Sequence, residues 1–137
     1  MIKMLFKKLY YYYHHYKMWS YIVKQLGKRP EAQLSQLKSD YIEENNCKHL
    51  THSNCFLCSY ATSARASGER ACTQCPLYKK YGKSCFAAGS LFYRVYMRNL
   101  YEDRIAVAEK RIAAAEKIRD CVLPWKNKMT NEEIKED

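Results

Sequence analysis

Two Cys-x-x-Cys pairs, Cys55/Cys58 and Cys72/Cys75, stand in a segment, residues 47–85, that holds six of the chain's seven cysteines and two of its four histidines. Two thiolates separated by two residues grip a metal ion from one side. A second such pair, brought in by a loop, completes the tetrahedron that zinc prefers. The spacing therefore predicts a structural metal site built from Cys55, Cys58, Cys72 and Cys75, with Cys85 able to replace one of them from the Gly82–Ser84 turn. Cys47, His49 and His52 are candidates for a second, weaker site with Cys85, set against the plainer reading of solvated loop histidines. Zinc is the expected ion. An iron–sulfur cluster is the chemical alternative, because four thiolates in a basic environment also suit an anionic cluster.

The same residues argue against catalysis. Four thiolates leave a zinc ion no open position. No histidine follows His52, so a His-Asn-His nuclease would lack its later histidines, and the zinc-deaminase signature is absent. Neither pair is framed by a strand–helix unit of the thioredoxin type, and Cys121 reads as a small buried apolar residue. The expectation is a protein that binds rather than reacts.

Charge suggests what it binds. Among 137 residues, 24 Lys and Arg oppose 14 Asp and Glu, a formal charge of +10. Residues 1–30 carry Lys3, Lys7, Lys8, Lys17, Lys24, Lys28 and Arg29 with no acidic residue. Residues 55–90 add Arg65, Arg70, Lys79, Lys80 and Lys83 against Glu69. These five, with Tyr60, Tyr78 and Tyr81 for stacking, predict contact with nucleic acid through its phosphates. The bland reading of the same charges is solubility.

The elements that must position these residues are helical. Residues 2–26 show apolar faces at helical spacing, ended by Gly27, and residues 30–45 form a second helix with Pro30 in its first turn. Glu43 and Glu44 oppose the dipole of that helix and predict a frayed last turn. Ser59–Ala66 reads as a short helix behind the first cysteine pair. From Ser90 to Val122, Tyr101, Ile105, Ala108, Ile112, Ala115, Ile118 and Val122 recur at steps of three or four, which predicts one long helix. The fold expected is mainly α: a single domain over residues 1–125, with a zinc-knuckle or zinc-ribbon-like loop between N-terminal helices and a long C-terminal helix. Residues 126–137 read as a disordered tail. Residues 1–17 read as a basic, tyrosine-rich extension, with Met18 as an alternative start. No stretch reads as a signal or membrane span, and the unpaired cysteine count suits a reducing compartment.

The order Trp19, then Cys-x-x-Cys-x-Tyr-Ala (Cys55–Ala61), Cys-x-x-Cys-Pro-Leu (Cys72–Leu77) and Cys85 resembles that of small uncharacterised bacteriophage proteins. Such proteins often carry a Trp after the Pro-Leu, where this chain has Tyr78-Lys79-Lys80-Tyr81. The resemblance implies a zinc-binding viral accessory protein acting in a bacterial cytoplasm. Its partner would be nucleic acid or a host complex such as RNA polymerase, a nuclease or a defence system. The apolar stripe of the long helix is the feature behind host-protein docking, or behind a homodimer.

Overall fold

The computed structural model describes residues 2–47, 55–68, 70–83, 90–96 and 107–123. These are helical, with no strand among them. Cys85, His49, His52, Glu69 and the 126–137 tail lie outside the described residues.

Helix α1, Ile2–Lys28, is the central element. Tyr12, His15, Met18, Trp19, Ile22 and Leu26 recur at helical spacing and are all buried. The Tyr-His run is therefore divided by helical phase: Tyr12 and His15 enter the core, while Tyr10 and Tyr13 face solvent. α1 also runs through Gly27, which is exposed and costs the helix only about 1 kcal/mol.

α2, Leu34–Glu44, begins four residues later than the sequence suggests. Pro30 lies in a turn closed by Ala32 N–H donating to the Arg29 carbonyl at 3.0 Å. The far end of α2 is not frayed. Asn46 takes a left-handed conformation (φ 51°), its N–H bonds Glu43 O at 3.2 Å, and Cys47 N–H bonds Ile42 O at 3.0 Å. That paired capping arrangement satisfies the carbonyls that the Glu43 and Glu44 charges alone would have left open.

The cysteine segment folds as α3, Phe56–Ala64, a 3-10 turn, Ala71–Gln74, and α4, Pro76–Tyr81. Pro76 opens α4 from its first position, and Gly82, left-handed at φ 72°, ends it. α3 packs against both α1 and the 3-10 turn.

The long C-terminal helix is not formed. α5, Leu91–Tyr96, and α6, Ala108–Asp120, are separate helices packed against each other. In one continuous helix residues 95 and 111 would stand about 24 Å apart, yet Arg111 Nε donates to the Val95 carbonyl at 2.9 Å. The rest of the guanidinium reaches the link between α1 and α2, donating to Pro30 O and Ala32 O at 2.9 Å each. Arg111 is fully buried. One planar, always-charged group thus satisfies three backbone carbonyls from two distant segments, a geometry lysine cannot reproduce. α6 then lays Ala114, Ala115, Ile118 and Val122 into the core, with α1 as its main neighbour.

Replacing Arg111 with Met orphans these carbonyls, and the expected loss is about 3–5 kcal/mol. Arg111→Lys should recover less than half of it. Urea unfolding followed by circular dichroism checks both. A loss below about 1 kcal/mol for Arg111→Met would remove Arg111 from its organising place.

Candidate metal centre

The two cysteine pairs arrive on different local frames. Cys55 is the residue before α3, in an extended conformation, and its sulfur accepts the Cys58 N–H at 3.3 Å. Cys58 sits in the first turn of α3. Cys72 lies within the 3-10 turn, and Cys75 joins that turn to α4. The packing of α3 on the 3-10 turn brings the pairs together around a cavity of about 30 Å³. Cys58, Cys72 and Cys75 line it, with Ala61, Ala71, Tyr78 and Lys83.

The electrostatics describe thiols that share one site. A hydrogen bond from the Cys58 thiol, together with burial, holds the Cys55 thiol well above its ordinary value. Burial pushes Cys75 up to about 11, with the neighbouring Cys55 and Cys72 adding to the rise. The backbone amides of Tyr78 and Leu77, which hydrogen-bond its sulfur, pull the other way. The side chains do not form a ready cage: among the described residues no group of three or more His, Cys, Asp or Glu side chains is arranged to hold a metal ion.

Four of the five basic residues singled out in this segment stay clear of the cavity, and Lys83 lines it. Arg65, Arg70, Lys79, Lys80 and Lys83 are exposed, and Lys80 Nζ lies 5.6 Å from the centre of the exposed Tyr81 ring. Tyr78 is half-buried at the cavity wall. Tyr60 is not available for stacking on a ligand. It is buried with its ring edge-on to Tyr12 at 5.3 Å, because α3 turns that residue toward α1.

Two further cysteines find histidine neighbours that sequence spacing did not reveal. Cys47 Sγ lies 3.8 Å from His14 Nδ1, which pairs with the Tyr41 hydroxyl at 2.9 Å. His14 itself stacks on Phe56, ring centres 5.3 Å apart. Cys121 Sγ lies 3.6 Å from His15 Nε2, but that nitrogen already donates to the Ile118 carbonyl at 2.7 Å. The imidazole therefore has no lone pair aimed at the sulfur, and burial pushes the Cys121 thiol far up. This is a helix-end contact, in which α1 satisfies one of the last carbonyls of α6, and not an activated nucleophile.

Burial makes His15 a pH-sensitive part of the core. Its Nδ1 is buried without a hydrogen-bond partner among the described residues. Burial, aided by the Lys38 charge and opposed by the Ile118 bond, lowers the imidazole to about 4. The unfolded imidazole titrates near 6.5, so between pH 6.5 and about 4 the unfolded chain binds a proton that the folded chain refuses. The stability contributed by neutral His15 is complete above pH 6.5 and falls as pH drops, by up to about 3 kcal/mol. His15→Gln keeps an N–H donor for Ile118 but does not titrate, and urea midpoints at pH 7, 5.5 and 4.5 should fall less steeply for it than for the wild type. Parallel curves would contradict the assignment.

Comparison with protein-family models, with curated proteins and with solved structures finds no match to this chain.

Proposed function

We propose that this chain is a small nucleic-acid-binding module, pinned by one zinc ion, that contacts phosphates through the outside of its cysteine segment. The observation that carries the reading is the division within residues 55–83. Three cysteines line one small cavity, a fourth is hydrogen-bonded to the first of them, and five cationic side chains are exposed, Lys83 among them also lining the cavity. Cys55, Cys58, Cys72 and Cys75 would hold the ion, their thiols deprotonating and turning about Cα–Cβ to meet it. Cys85 is the reserve ligand. A cavity of about 30 Å³ has room for a single atom-sized guest. That favours zinc over an iron–sulfur cluster, which brings several atoms. Amide N–H groups already directed at the Cys55 and Cys75 sulfurs would orient the ligands, and Lys83 would offset part of the negative charge of the thiolates.

With the segment pinned, Arg65, Arg70, Lys79, Lys80 and Lys83 form a basic surface to which Tyr81 adds an exposed ring. Such a surface follows the backbone of a nucleic acid and reads little sequence. The setting implied by the cysteine pattern is a bacteriophage accessory protein in its host's cytoplasm. Docking on a host protein complex rested on the stripe of a long helix. Of its described residues, Ala115, Ile118 and Val122 lie in the chain's own core and Ala108 and Ile112 are half-buried, so no observation favours that reading.

Affinity for a labelled oligonucleotide, measured against salt, is the test. Log affinity should fall with log salt at a slope of about −2 to −4, and Lys79→Ala/Lys80→Ala should flatten the slope by about 2 units. Removing the metal with a chelator should weaken binding as the segment loosens. A flat salt dependence would contradict the reading.

A further inference from the structure

We propose that the solvent face of α1 around Tyr10, Tyr13 and Lys17 is a stacking platform for a single, unpaired nucleic-acid strand. The inference rests on the nucleic-acid reading above and adds to it the class of ligand and a second surface.

At 100° per residue, Tyr10, Tyr13, Lys17, Lys24 and Lys28 fall within an arc of about 60° on α1, and all five are exposed. α1 contains no acidic residue over its whole length. Two rings and three ammonium groups on one stripe match the two parts of a single strand, base faces and phosphates. From Tyr10 to Lys24 the stripe is about 21 Å long, enough for the shortest footprints of such surfaces, about four nucleotides.

The rings are held in place before any ligand arrives. Tyr10 is 40% exposed and Tyr13 57%, yet both are braced edge-on against His14, with ring centres at 4.6 and 5.2 Å. His14 is itself fixed by Phe56 beneath it and by the Tyr41 hydroxyl. The Tyr10 hydroxyl is tied to Cys47. Braced aromatic rings lose little freedom on binding, which lowers the entropic cost of association.

Charge also sets the limit of the platform. Burial raises the Tyr21 phenol, with the Glu44 and Asp40 carboxylates of α2 adding to the rise and Arg29 opposing it. Those carboxylates border the stripe on its Tyr21 side, so the strand is held to the line of Tyr10, Tyr13, Lys17 and Lys24. The faces of paired bases are covered by their neighbours in a duplex, so only unpaired bases can use the two rings.

Fluorescence anisotropy of the full chain with a labelled oligo(dT) strand and with a mixed-sequence duplex of equal length, at low salt, tests the proposal. The wild type should bind the single strand at least about 10-fold more tightly than the duplex. Tyr10→Ala/Tyr13→Ala should weaken single-strand binding about 10- to 100-fold and duplex binding less than about 3-fold. Tyr10→Phe/Tyr13→Phe should retain wild-type affinity, since the ring faces remain. Circular dichroism confirms that these exposed substitutions leave the fold intact. Unchanged single-strand binding by the alanine pair, with weakened binding by Lys79→Ala/Lys80→Ala, would overturn this inference and leave the α4 surface standing. No binding of either nucleic acid by the wild type would overturn both.

Discussion

A single buried guanidinium sets the shape of this protein. Arg111 draws the carbonyl of Val95 and those of Pro30 and Ala32 to one point, so that α5, α6 and the α1–α2 link cannot move independently. A charged group in the core is costly unless its donors are met, and here the acceptors are backbone atoms that need donors themselves. The two requirements cancel at one residue. Once α6 is held this way, Ile118 and Val122 seal against α1, and His15 closes the end of α6 through the Ile118 carbonyl.

The cysteine segment depends on that frame more than it contributes to it. α3 is docked on α1 by Phe56, Leu57, Tyr60 and Ala61, all buried. This fixes Cys55 and Cys58 at its start. The 3-10 turn and α4 are short, and among their residues only Leu77 is buried, with Cys75 buried at the junction between them. Little apolar surface holds them. A metal bridging the two cysteine pairs would supply stabilisation where packing is thinnest, on the order of 10 kcal/mol for a structural zinc site. Phosphate-binding cations on such a segment gain from being held, because ordering them on contact would cost part of the affinity.

Much of this was legible in residue spacing, and the failures share a cause. The apolar period located α1, and the position of α3 behind the first cysteine pair followed from the pattern of the segment. The two Cys-x-x-Cys pairs pointed to one shared site; Cys58, Cys72 and Cys75 do line one cavity, but Cys55 does not, and no three of these side chains are arranged to hold a metal ion. The period across residues 90–122 is equally good helix, rich in alanine, yet α5 and α6 pack against each other. Periodicity reports which face of a helix is apolar and says nothing of where a distant carbonyl will capture an arginine. Arg111 looked like one more cation on a solvated face. His14 and His15 were hidden for the same reason, since their partners Cys47 and Ile118 lie 33 and 103 residues away. The Tyr-His run looked like an appended extension because histidine and tyrosine were not counted as core residues. Admitting them gives the stripe Tyr12, His15, Trp19, Ile22 and Leu26 directly.

The central claim is that the four paired cysteines hold one zinc ion. X-ray absorption at the zinc edge, on protein purified without added metal, tests it most directly. The account predicts one zinc per chain surrounded by four sulfurs at about 2.3 Å. A folded protein without zinc, or zinc in a shell of nitrogen and oxygen, would contradict it and return the cysteines to the role of thiols around an ordinary cavity.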